Sequence, residues 1–170
     1  MGGVTVWITG LPCSGKSTVA ARVAEEVRAR GRRAEILDGD IVRARLSPDL
    51  GFSREDRDTH VRRIGFICGL LSRHDVVAIA AVISPYLAAR KELRRELAPK
   101  FLEVWTACPI EVCEARDVKG LYRRARAGQI RGFTGVDDPY EPPLAAEVVL
   151  RTDRETPEES ARRVLEALPS

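Results

Sequence analysis

The apolar residues of this chain change period several times, and the changes divide it into alternating strands and helices. Val4-Thr5-Val6-Trp7-Ile8-Thr9 is a short apolar run that predicts a first strand. From Lys16 to Arg30, Val19, Ala20, Val23, Ala24 and Val27 recur at helical spacing, and Gly31 ends that helix. Ala34 to Leu37 predicts a second strand, which runs into Asp38-Gly39-Asp40. A brief helix over Ile41 to Leu46 is broken by Ser47-Pro48-Asp49.

Ser53-Arg54-Glu55-Asp56 fits a capping box, and Val61, Ile64, Ile67, Cys68 and Leu71 then carry a helix to about His74. Val76 to Ile83 is continuously apolar, as expected of a central parallel strand covered on both faces. Ser84-Pro85 stops it, and a helix over Tyr86 to Leu97 follows. Phe101 to Thr106 predicts a strand, Ile110 to Ala115 a short helix and Glu147 to Leu150 a last strand. Thr156-Pro157-Glu158-Glu159 opens the closing helix with a capping box and proline at its first position. The alternation predicts an α/β fold, a parallel sheet with helices on both faces. Between Asp117 and Pro143 the periodicity lapses into a basic, glycine-bearing stretch, which predicts a lid.

The 170 residues suffice for one compact core, so a single domain over 1–170 is expected, with the lid at about 117–139. No apolar run has the length of a membrane span, and the N-terminus lacks the charged start and apolar middle of a secretory signal. A cytoplasmic residence is expected. A net charge of +3 is too small to imply nucleic acid. Cys13, Cys68, Cys108 and Cys113 form no CxxC pair and have no histidine at ligand spacing, so reduced thiols are expected and a zinc site is not.

Between the first strand and the first helix lies "GLPCSGKST", Gly10-Leu11-Pro12-Cys13-Ser14-Gly15-Lys16-Ser17-Thr18, with the spacing of a phosphate-binding loop. Its glycines let backbone N–H groups converge on a nucleotide's phosphates at a helix N-terminus. Lys16 adds a charge, and Ser17 a hydroxyl for Mg²⁺. Asp38 and Asp40 follow the second strand, at the carboxyl edge where such sheets bind ligands. There Asp40 can orient or deprotonate an attacking hydroxyl and stand beside the metal, or merely cap the helix that follows. Arg43 and Arg57 can each grip an anion or lie solvated on the surface.

The stretches "GLPCSGKST", "LDGDIVR", "LGFSREDRDTHVRRIG", "ISPY", "CEARDVKGLYRRARAGQIRGFTGVDDPYE" and "VVLRTDRETPEES" together resemble adenylylsulfate kinase, in order and over nearly the whole chain. The resemblance implies a P-loop NTPase-type fold and transfer of the ATP γ-phosphoryl group, with Mg²⁺, to the 3′-hydroxyl of adenosine 5′-phosphosulfate (APS). The product would be 3′-phosphoadenosine 5′-phosphosulfate (PAPS). It makes Gly10 to Thr18 the ATP phosphate site, Arg116 the partner of the ATP adenine, Asp40 and Ser17 the metal side, and Asp40, Asp38, Lys16 and Lys119 the catalytic set.

By the same resemblance Arg43, Phe52, Arg57, His60, Ile83, Ser84, Lys119 and Phe133 hold the adenylylsulfate. Phe52 and Phe133 lie in glycine-flanked loops, where a ring is expected to have little core to join. Ser84 matches a position phosphorylated in some members, although a plain loop hydroxyl is expected here. His60 stands where the family commonly has asparagine, which is expected to make that contact sensitive to pH. A homodimer is implied, with ATP sulfurylase as functional or fused partner. Two rivals remain: another small-molecule P-loop kinase, and a regulatory module that binds PAPS without catalysis.

Overall fold

The computed structural model describes residues 2–169. Five strands form one parallel sheet: β1 (Val4–Thr9), β2 (Arg33–Asp38), β3 (Val76–Ala81), β4 (Phe101–Thr106) and β5 (Val148–Leu150), in the order β2-β3-β1-β4-β5. Seven helices connect and cover them: α1 (Lys16–Ala29), α2 (Gly39–Leu46), α3 (Arg54–Arg73), α4 (Leu87–Leu97), α5 (Ile110–Arg116), α6 (Leu121–Arg126) and α7 (Pro157–Glu166). No helix among them is long and apolar enough to cross a membrane.

Side-chain alternation along the central strands builds two cores. Val4, Val6 and Ile8 of β1 join Ile79 and Val104 against Val19 and Val23 of α1 and Val164 of α7. On the opposite face Trp7, with no exposed surface, lies with Ala78 and Ala80 against Ile64 and Cys68 of α3 and Leu93 of α4. Alanines on β3 leave the volume that the indole fills, and a ring of that size dominates the energetics of its face.

Register determines what reaches the ligand edge. Ile8 and Asp38 both pair with Ala81, so β1, β2 and β3 end at one level. The phosphate loop, the Asp38–Asp40 turn and the Val82–Ser84 turn therefore emerge side by side.

Several boundaries differ from the periodicity. β3 stops at Ala81 instead of Ile83; Val82 still donates its N–H to the Ile8 carbonyl, but no further strand bonds follow. α2 begins at Gly39, and its cap is Asp38, which accepts from the Asp40 N–H at 3.1 Å. Asp40 is thus not the capping residue. Ser53 caps α3 as expected, but Asp56 does not close the box: its carboxylate accepts from the Gly51 N–H at 3.0 Å. Thr156 and Glu159 form the full box on α7. The expected lid contains an unforeseen helix, α6, whose first turn is held by Asp117 accepting from the N–H groups of Tyr122 and Arg123.

Candidate active site

Gly15 takes a left-handed φ of 92° as the cap of α1, a conformation natural to glycine, and turns the chain into the helix just where an anion would meet its first N–H groups. Lys16 is 9% exposed and donates to the carbonyls of Gly10 at 3.1 Å and Leu11 at 2.7 Å. Burial pulls its ammonium down from 10.5 to about 8. Ser14 and Thr106 share a 2.7 Å hydroxyl bond that ties the loop to the end of β4.

A chain of contacts leads from this loop to the carboxylates. Ser17 Oγ donates to Asp38 Oδ2 at 2.6 Å, the other oxygen of Asp38 caps α2, and Lys119 Nζ reaches Asp40 Oδ2 at 2.5 Å. Hydrogen bonding to Asp40 holds the Lys119 ammonium above its ordinary range. The side chains of Lys119 and Asp40 are 61% and 75% exposed, so the pair contributes about 1 kcal/mol at most and can open at little cost.

Arg116 bridges the Cys13 carbonyl at 3.2 Å and the Thr152 carbonyl at 2.7 Å, and Thr152 Oγ1 donates to the Ser14 carbonyl at 2.7 Å. Sequence reasoning did not single out Thr152, although it lies within a quoted motif. Across the sheet edge, the Arg43 guanidinium lies 4.3 Å from the centre of the Phe52 ring, and that ring is 68% exposed. Arg57 is far from a solvated surface arginine. Its side chain donates to the carbonyls of Phe52 and Gly132, to Thr134 Oγ1 at 2.6 Å and to Asp138 Oδ2 at 3.1 Å, binding α3 to the segment expected as a lid. Asp138 and Thr134 are further residues the sequence reading passed over.

Two expectations change, those for Phe133 and His60. Phe133 does have a core to join: it meets Tyr122 edge-on at 5.0 Å within a small cluster that includes Cys108 and Cys113. Ser84, expected as a plain loop hydroxyl, is an enclosed one. It is 2% exposed, accepts from Trp7 Nε1 at 3.0 Å and donates to Thr9 Oγ1 at 3.0 Å, which leaves a kinase no access to it. The neighbouring Ile83 is half-buried, and its carbonyl accepts from Thr9 Oγ1 at 2.6 Å.

His60 is also inside, 5% exposed, with Nδ1 2.9 Å from Ser47 Oγ at the end of α2. Burial, reinforced by the charge of Arg43, pushes its pKa below 6.5, so the ring is neutral at physiological pH and the contact loses the expected sensitivity there. The sign for stability follows. Unfolded histidine takes a proton as pH falls through 6.5 while the folded one resists, so this residue weakens the fold from 6.5 downward. His60→Asn should therefore lose less Tm than the parent between about pH 7.5 and about pH 5.5 by calorimetry. An equal or larger loss would contradict the assignment of a buried neutral ring.

An open groove of about 580 Å³ runs between Cys108 and Ile110 on one side and Val136 to Tyr140 on the other. Of the residues expected at the site, only Leu11 lines it.

Comparison with known proteins supplies the remaining context. Residues 2–151 match the family described as Adenylylsulphate kinase. Adenylyl-sulfate kinase of Gloeothece citriformis (strain PCC 7424) is 53% identical over 166 residues, 98% of this chain and 94% of that protein. The protein of the same name from Synechococcus sp. (strain JA-3-3Ab) is 54% identical over 168 residues, 99% of this chain and 95% of that one. The Mycobacterium tuberculosis APS kinase CysC, solved in complex with AMPPNP and APS, superposes with a TM-score of 0.92 at 40% identity, covering 97% of this chain and 96% of that chain. Shikimate kinase from Aquifex aeolicus, at 18% identity and a TM-score of 0.53, shares the fold alone. A phosphate loop joined through Ser17 to a carboxylate turn, in a sheet of this order and with relatives above 50% identity along nearly its whole length, makes the chain a member of the adenylylsulphate kinase family.

Proposed function

We propose that this protein transfers the γ-phosphoryl group of ATP to the 3′-hydroxyl of adenosine 5′-phosphosulfate, releasing ADP and PAPS. The observation that carries this reading is the contact chain Ser17–Asp38–α2–Asp40–Lys119, which sets a carboxylate beside the phosphate loop in a member of this family. Asp40 accepts the proton of the 3′-hydroxyl as its oxygen bonds to the γ-phosphorus and the bond to the β–γ bridging oxygen breaks. Lys16 and the loop N–H groups hold the phosphates of ATP, and Arg116 lies against its base. Arg43 and Arg57 take the phosphosulfate, and Phe52, Ile83 and Phe133 contact the acceptor's nucleoside. Lys119 moves from Asp40 toward the transferring group when the lid closes.

Hydroxyl and carboxylate oxygens at Ser17, Asp38 and Asp40 are the donors a hard cation takes, so these residues fit Mg²⁺. Bound there with ATP, the ion would neutralise charge on the β- and γ-phosphates. Its site needs few protein ligands when phosphates supply the rest. Among the described residues no cluster of three or more acidic, histidine or cysteine side chains competes for it.

The same reading extends to a homodimer, for which Phe66 and Leu70, one turn apart on α3 and 69% and 43% exposed, offer an apolar face. It also extends to ATP sulfurylase as the partner that makes the acceptor, and to the cytoplasm, a compartment that suits four free thiols.

Incubation of the purified chain with ATP, Mg²⁺ and adenosine 5′-phosphosulfate is expected to give the 3′-phosphorylated product, with adenosine monophosphate left unchanged in a parallel reaction. Tight binding of both phosphosulfate nucleotides without turnover would replace the kinase by a regulatory module. Phosphorylation of the monophosphate would remove the acceptor assignment.

A further inference from the structure

Arg90 lies on α4 in a run that also holds Lys91, Arg94 and Arg95, yet it is 1% exposed. Its guanidinium reaches three separate segments. Nε donates to Glu103 Oε1 of β4 at 3.1 Å, Nη1 to the Ser84 carbonyl and Nη2 to the Glu141 carbonyl. A buried arginine gives up its hydration, and an apolar residue would serve packing as well. The joined segments point to what the charge does instead.

Ser84 has a φ of 41°, a left-handed conformation unusual for a side-chain-bearing residue, and it follows Ile83 directly. Glu141 belongs to the strap that leaves the lid. Its N–H donates to the Pro85 carbonyl at 2.8 Å, and its carboxylate accepts from the Leu87 N–H at 2.6 Å. Three residues earlier on the strap, Asp138 accepts from Arg57 and from the Tyr86 hydroxyl at 2.9 Å. Arg90 thus clamps the turn that carries Ile83 to the strap that holds Arg57. Lys16 and Arg116, on the ATP side, make none of these contacts.

We propose that Arg90 is a positioning residue for the acceptor half of the site, fixing the Ser84 turn and the Asp138–Glu141 strap relative to each other so that Ile83 and Arg57 meet the phosphosulfate nucleotide in one geometry. This rests on the acceptor assignment given above. Two variants test it. Arg90→Lys keeps the charge beside Glu103 but cannot fork to all three acceptors; the double variant Arg90→Met, Glu103→Gln removes both charges and keeps the volume filled.

With each substrate varied in turn, KM for adenosine 5′-phosphosulfate should rise about tenfold in the double variant and less in Arg90→Lys, while KM for ATP stays within about twofold. A fall in kcat with both KM values unchanged, or a parallel rise in both, would overturn the proposal, because a merely structural residue acts on the two substrates alike. Failure of the parent chain itself to turn over the acceptor would instead remove the functional reading. Calorimetric binding of the acceptor to parent and Arg90→Lys then still decides: weaker binding by the variant supports the positioning role, and equal binding overturns it.

Discussion

Asp40→Asn is expected to lower kcat by about 10²- to 10⁴-fold while leaving both KM values within about threefold, because it removes a proton acceptor and little else. Asparagine has the size of aspartate, and its amide oxygen can still accept from Lys119, which now bonds Asp40 Oδ2. The fold should be unaffected, since the cap of α2 is Asp38 and the Asp40 carboxylate is 75% exposed. Steady-state turnover beside a thermal melt separates these effects. Retention of more than about a tenth of the parental kcat would exclude Asp40 as the base, since loss of general base catalysis is larger than that. A collapse of ATP affinity at normal kcat would move its role to metal holding.

What was legible in the sequence was what depends on near neighbours in the chain. The strand–loop–helix of Val4 to Ala29 announces itself because glycine spacing, a continuous buried strand and helical periodicity coincide within thirty residues. Helix α6 was missed because Leu121–Arg126 is too short for its two buried positions, Tyr122 and Ala125, to form a period beside three exposed arginines and a half-buried Leu121. The Asp38–Gly39–Asp40 turn offers two good caps two residues apart, and only the end of pairing with Ala81 selects Asp38.

Side-chain partners far along the chain left less trace. Nothing local distinguishes Arg90 from Arg94 or Arg95, and its burial depends on Glu103 thirteen residues on and Glu141 fifty-one residues on. Ser84 beside a proline gives no local sign of burial, yet Trp7 and Thr9 from the central strand draw its hydroxyl inward. For His60 the family contrast with asparagine marked the position, while the direction of its titration required knowing that it is enclosed behind α2. The family resemblance named the candidate site residues; the structure added that Arg57 is already engaged with Thr134 and Asp138, and Lys119 with Asp40.

Lys16→Met should pair a lower activity with a more stable fold, a combination that a residue held only for packing would not produce. Methionine fills the volume of the buried aliphatic stem but carries no charge for the β- and γ-phosphates, so kcat should drop by about 10²- to 10³-fold. The parent's kcat/KM for ATP reports the free enzyme, in which burial sets the ammonium at about 8. That quantity should be level below about pH 8 and fall above it as the charge is lost, a limb absent from the variant. Stability has the opposite sign. Between about 8 and 10.5 the unfolded chain holds a proton that the folded one releases, so the parent gains stability as pH rises through this window, and below it bears the full cost of the buried charge. A displacement of that size corresponds to about 3 kcal/mol. The two hydrogen bonds to the Gly10 and Leu11 carbonyls, each contributing about 1 kcal/mol, offset much of it. About 1 kcal/mol remains in favour of the variant at neutral pH, a rise in Tm of about 2–4 °C for a chain of this length. A Tm below the parent's at pH 7 would mean that the ammonium, through its bonds to the loop carbonyls, stabilises the empty phosphate loop more than its burial costs.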